Sequence, residues 1–140
     1  MNVQTAKHYG NLGRLYQSMK KYQSAEEMHL KSIAIKEALL GPDDHEVALS
    51  LGHLASLYNY DLCYYSKAEM LHLRSIRIGK KLFGEAYSGL EYDYRGLLRV
   101  YTNQHDMEKR FRYMNILSCW KSLRERLENS TESPFEEVCH

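Results

Sequence analysis

"AEEMHLKSI" at Ala25–Ile33 returns as "AEMLHLRSI" at Ala68–Ile76, 43 residues later. Self-similarity at such a spacing marks a chain built from stacked copies of one supersecondary unit. The match extends outward in both directions. "LKSIAIKEALLG" (Leu30–Gly41) aligns with "LRSIRIGKKLFG" (Leu73–Gly84), and "NLGRLYQ" (Asn11–Gln17) aligns with "HLASLYN" (His53–Asn59) and more loosely with "GLLRVYT" (Gly96–Thr102). Leu12, Leu54 and Leu97 therefore share a column, as do Tyr16, Tyr58 and Tyr101, at steps of 42 and then 43. The second copy is one residue longer at "NYDLCYYSK", where a turn is expected.

Each copy reads as two helices. Tyr9, Leu12, Leu15, Tyr16 and Met19 recur at three- and four-residue steps and predict an apolar stripe on the first helix. Tyr22, Ala25, Met28, Ile33 and Leu40 recur at helix-compatible spacing on the second, with Glu27 and Lys31 as a supporting acid-then-base pair. Gly41, followed by Pro42, is placed to close a helix. Asp43 with Glu46, and Ser88 with Glu91, have the spacing of helix-start boxes.

A short helix pair cannot bury its stripe alone, so such pairs stack into a solenoid with a concave face. The expected fold is all-α, with about three helix pairs at 5–47, 48–89 and 90–128. A polar, proline-broken tail over 129–140 is expected to be flexible. In the third copy Gly13 and Ala55 give way to Leu98, and the small residue at Ala25 and Ala68 becomes Arg110 or Phe111. That loss is expected of a terminal cap with a polar outer face. The long last helix would lay Phe111, Met114, Leu117 and Trp120 back on the array. A start within the first helix points to further repeats upstream.

Composition narrows the function. The chain has 140 residues, 44% hydrophobic and 26% charged, enough for a core of its own. Nineteen basic and 18 acidic residues leave a formal charge of +1, without the electrostatic footprint of a nucleic-acid or membrane binder. The twelve tyrosines fall mostly at repeat columns, where packing accounts for them. Cys63, Cys119 and Cys139 have no pairing or zinc-ligand spacing and read as reduced thiols of an intracellular, soluble protein.

No phosphate-cradling glycine loop, H-E-x-x-H or G-x-S-x-G pattern occurs, so the expectation is no enzyme, no cofactor, no metal and no small-molecule substrate. Asp43, Asp44 and His45 sit in a turn where acidic residues serve helix starts. His29 and His72 share one column and read as fillers of a structural slot. Arg74, Arg77 and Lys81 form a basic line on the outer helix and read as a solvated face.

Tyr9, Leu12, Gly13, Tyr16 and Ala25 resemble the tetratricopeptide repeat, which asks for a large aromatic, Leu-Gly, Tyr and a small residue at the helix crossing. The period near 42 and the helix end "KEALLGPDDHEVA" resemble the kinesin light chain subclass. The resemblance implies a non-catalytic module that binds peptides along its first helices. With the columns in register, Arg14, Ser56 and Arg99 come together, as do Gln17, Asn59 and Thr102, while Asn11 and His53 form a column that Gly96 interrupts. Arg95 and Arg99, with Arg14, have the planar fork that grips a carboxylate; Glu91 and Asp93 are the local acceptors for a basic ligand group.

A closer likeness, carried by the wording of all three copies and the tail "SPFEEVCH", implies a substrate receptor of a cullin-RING ubiquitin ligase that recognises C-terminal degrons. It also implies ligase components, the amyloid precursor protein tail and microtubules as partners. The implied location is cytoplasmic, with nuclear, cytoskeletal or membrane association. Two alternatives stand beside this one: a kinesin light chain-like cargo adaptor, and a structural cap of a longer array.

Overall fold

The computed structural model describes residues 2–139, with side chains through 130. Six α-helices follow one another: α1 (Val3–Ser18), α2 (Tyr22–Leu40), α3 (His45–Ser56), α4 (Tyr65–Phe83), α5 (Leu90–Asn103) and α6 (Met107–Cys139). They form three antiparallel pairs, α1/α2, α3/α4 and α5/α6, stacked in chain order. Among the described residues there is no strand, and no helix is long and apolar enough to cross a membrane. The tail expected over 129–140 lies, from residue 131 on, outside the described side chains, as does Cys139. Cys63 and Cys119 are exposed and unpaired.

The repeated stretch supplies the joints of the stack. Ala25 and Ala68 are fully buried at the helix crossings. Ser32, also fully buried, donates to the Ala6 carbonyl at 2.7 Å, and Ser75 lies 3.5 Å from the equivalent Ala48 carbonyl. Between pairs, Tyr58 donates to Glu26 at 2.6 Å and Tyr101 to Glu69 at 2.7 Å, so one lock fastens each first helix to the preceding second helix. Burial and the neighbouring carboxylate both raise these two phenols above their ordinary range.

The extra residue of copy two is absorbed before the turn. α3 runs on into a single π-turn, Leu57–Asp61, in which the Leu62 N–H reaches back to the Leu57 carbonyl at 3.0 Å. Such an insertion widens the helix by one residue without breaking it. Beyond it the three turns match again: Lys20, Cys63 and His105 all take the left-handed conformation, at φ 62°, 57° and 59°. The backbone bonds after those turns fix the third-copy register, because Ala25, Ala68 and Arg110 each donate to the carbonyl four residues back. Arg110 is thus the counterpart of the buried alanines, and its long side chain reaches Thr102 at 3.1 Å.

At the first turn of α1 the Asn2 side chain accepts from the Thr5 N–H. Several expectations need correction. The apolar stripe of α1 packs only in part: Tyr16 lies against the core, but Leu15 and Met19 are half exposed, and the fully buried positions are Ala6 and Gly13. Small residues let α2 approach closely, and a Cβ on Gly13 would stand 2.9 Å from the His29 ring. α3 is capped by Asp44, which accepts from the Glu46 N–H, because the Asp43 carboxylate is drawn to Lys81 at 2.9 Å and Arg77 at 3.3 Å. Ser88 caps nothing with its side chain; its carbonyl and that of Tyr87 take the first N–H groups of α5. The basic line of α4 is tied back to the first pair, since Arg74 also meets Glu37 at 2.8 Å. Gly41 does close α2, at φ 92°.

On α6, Leu117 and Trp120 pack into the core, but Phe111 is 68% exposed and Met114 45%. The buried face runs through Tyr113, Ile116, Leu117 and Trp120, a phase shifted by about one position from the expected one. The outer face of the last helix is therefore apolar over its first turns.

Candidate functional site

The first helices of the three pairs line one side of the stack, where the concave face holds a groove of about 740 Å³. α1 contributes Arg14 and Gln17; α3 contributes Leu49, His53 and Ser56; Tyr92 and Asp93 come from α5 and Ser75 from α4. Their positions follow from helical spacing, since Leu49, His53 and Ser56 recur at steps of four and three and share a face. Asp61, the last residue of the π-turn, joins the same wall and accepts from the Gln17 amide at 2.6 Å.

The α1 end is cationic. Arg14 is exposed and has no ion pair among the described residues. Beside it lies His53, held below the usual imidazole range by burial and then by the charges of Arg14 and Lys36. Beneath sits His29, 1% exposed, brought down to about 4 by burial, His53 and Arg14. Its Nε2 is buried without a partner among the described residues. Lys36, also buried, donates to Ser50 at 2.8 Å and meets Glu46 at 3.3 Å.

The floor at the other end is anionic. Asp93, 4% exposed, accepts from His72 Nδ1 at 2.9 Å and from Ser75 Oγ at 2.8 Å. Holding Nδ1 as the donor leaves His72 Nε2 as the acceptor, facing Asn59 Nδ2 at 3.4 Å. Gly96 closes this cluster, for a Cβ there would come within 2.4 Å of His72 Nε2. Gly96 interrupts the Asn11 and His53 column because His72 occupies that space.

Of the residues expected in the site, Arg14, Gln17, His53, Ser56 and Asp93 meet in the groove. Asn11 is exposed on α1 but does not line it. Asn59 is fully buried and donates to the Gly96 carbonyl at 3.0 Å, because the π-turn rotates it out of the Gln17 column. Glu91 and Arg95 pair with each other at 3.0 Å outside the groove. Arg99 stacks on Tyr60, 4.7 Å from the ring centre, so the three arginines do not form one grip. Leu49, Asp61 and Tyr92 went unread. Leu49 and Tyr92 share a column one turn before His53 and Gly96, so the same face followed backward contained them.

The depressed His29 value has a pH consequence. An imidazole near 4 when folded and near 6.5 when unfolded takes up its proton first in the unfolded chain. Its contribution is complete above about pH 6.5 and is lost as pH falls toward 4, at a slope of at most about 1.4 kcal/mol per pH unit. Urea unfolding of the protein and of His29→Gln between pH 7 and 5 measures this. The native chain should lose stability more steeply, and parallel curves would refute the assignment.

Residues 4–81 match the model of the tetratricopeptide repeat. The chain is 67% identical over 132 residues to amyloid protein-binding protein 2 of Mus musculus and equally to that of Rattus norvegicus. That stretch is 94% of this chain and 23% of each relative's length. The fold is similar to the crystal structure of BtubC (BKLC) from P. vanneervenii, with a TM-score of 0.78 at 21% identity over 86% of this chain and 48% of that one. With the helix pairs, the alanine crossings and the recurring Tyr–Glu locks, this match over more than half of the sequence shows that the chain belongs to the tetratricopeptide repeat family.

Proposed function

We propose that the groove binds peptide segments of partner proteins and performs no chemistry on them, with Arg14 as the anchor for a ligand carboxylate. The observation that carries this reading is an exposed guanidinium on the groove wall with no acidic partner among the described residues. A planar fork of that kind takes a carboxylate through two parallel hydrogen bonds. Against catalysis stands the geometry at Asp93. The carboxylate lies between the Ser75 hydroxyl and the His72 imidazole, so the imidazole does not touch the hydroxyl it would have to deprotonate.

The finer part of this proposal, that the peptide is a C-terminal degron and that the chain serves a cullin-RING ubiquitin ligase in the cytoplasm, rests on the resemblance drawn from the sequence. The relative's name supports an amyloid protein as one ligand. A terminal carboxylate would meet Arg14, and a basic ligand side chain would find Asp61 and Asp93 along the same groove.

The test is binding to a peptide array displayed with free and with amidated C-termini. Selective capture of free C-termini, weakened at least tenfold in Arg14→Ala with an unchanged unfolding midpoint, is the expected result; a desolvated charge-assisted pair is worth about 1.5–3 kcal/mol. Equal capture of amidated peptides would remove the terminal-carboxylate reading. Binding that depended on acidic or aromatic internal motifs would instead favour the cargo-adaptor role.

A further inference from the structure

The register of the third pair shows what its outer face has become. In the first two pairs the second helix receives the next first helix through three positions: Glu26, His29 and Ile33 on α2, and Glu69, His72 and Ile76 on α4. Glu26 and Glu69 accept the tyrosine locks, His29 and His72 are buried against the next helix, and both isoleucines are 7% exposed. The turn hydrogen bonds that equate Ala68 with Arg110 place Phe111, Met114 and Ser118 at the same three positions of α6. The buried positions obey this register too, since Ile35, Ile78 and Trp120 coincide and all are buried.

The polar residues of the joint have thus turned apolar, and its apolar anchor has turned polar. Phe111 and Met114 are exposed, Met107 extends the patch by one turn, and Ser118 is exposed where isoleucine was buried. Another copy of the repeat unit does not fit this face. Its tyrosine would find phenylalanine in place of a carboxylate, and its apolar anchor would meet serine. An unburied Phe–Met pair on a helix face still gains by burial, because its apolar area leaves water.

Charge adds a second constraint. Lys121 is exposed beside the patch and Arg110, whose Nε donates to Thr102, lies at its other end, neither with an ion pair among the described residues, while the nearby Glu108 is engaged by Arg112 at 3.6 Å. We propose that the outer face of α6 docks a helix of a partner protein, one with an apolar stripe at three- and four-residue spacing and acidic flanks, seated where the next first helix would lie. The helical form follows from the joint it continues: α2 holds α3 and α4 holds α5 through the equivalent faces. The surface is separate from the groove and does not rest on the reading of Arg14.

The test uses a phage-displayed library of 18-residue helix-forming peptides, selected on the whole chain and counter-selected on Phe111→Glu/Met114→Glu. Both side chains are exposed, so circular dichroism should show an unchanged fold; if the double variant unfolds, Phe111→Ser takes its place. Enriched peptides should carry an apolar stripe with Asp or Glu flanks. They should bind at least tenfold more weakly to the variant, and weaken again with Lys121→Glu. Arg14→Ala should bind them as the native chain does. The proposal is overturned by no enrichment, by binding that survives the variant, or by a selection of basic or extended peptides. It is equally overturned if sedimentation shows self-association that the same variant abolishes, which would make a second copy the occupant.

Discussion

Asp93→Ala is expected to destabilise the protein by about 3 kcal/mol, read as a lower urea midpoint by circular dichroism. The carboxylate is buried and satisfies two donors at once, His72 Nδ1 and Ser75 Oγ. A buried donor left without an acceptor costs about 1–3 kcal/mol. Ser75 can turn toward the Ala48 carbonyl, 3.5 Å away, whereas His72 is fully buried and confined by Gly96, so most of the loss falls on the imidazole. Asp93→Asn keeps one carbonyl acceptor of the same shape and should lose about half as much. If alanine and asparagine cost the same, or less than about 1 kcal/mol, the cluster does not hold α5 against α4 in the way described.

Trp120→Ala should cost about 3–5 kcal/mol, the range for removing a large aromatic from a core. Trp120 fills the position of Ile35 and Ile78 with a larger ring, and its indole N–H donates to the Tyr87 carbonyl at 3.1 Å. Arg124 stacks on the ring at 5.2 Å and reaches the Ala86 carbonyl at 2.6 Å. Two hydrogen bonds therefore tie α6 to the α4–α5 connection, and the ring that makes one also supports Arg124 in the other, so losing it loosens both. Hydrogen exchange should show the loss concentrated in α5 and α6, because repeats of a solenoid are stabilised mainly by their neighbours. Uniform loss across all six helices would contradict that picture.

The fold was legible because periodicity is a local property. A stripe at three- and four-residue steps, repeated at 42 and 43 residues, predicts helices, pairs and stacking without any long-range knowledge. The helix crossings at Ala25 and Ala68 and the stop at Gly41 could be read in the same way. The groove was legible in part. Arg14, Gln17, His53 and Ser56 lie on helical faces that keep their phase from the repeat start, and all four line it. Asn59 lies within the π-turn, where a single inserted residue rotates everything after it, and it turned inward.

Partner choice among charges was not legible. Asp43 and Asp44 are adjacent, and which of them caps α3 depends on Lys81 and Arg77 from a helix some 35 residues away. Arg95 and Arg99 looked like a pair four residues apart, but Glu91 and Tyr60 claim them separately.

By itself, then, the order of residues determined the helix count, the repeat and the crossings, since these follow from backbone hydrogen bonding and amphipathic spacing along one chain. Only the tertiary structure decided which polar groups are buried, which guanidinium has no ion pair among the described residues, and which face of the last helix is exposed among them. Those outcomes depend on the rotation of one helix against another, where a shift of one residue, about 100° of turn, exchanges inside for outside.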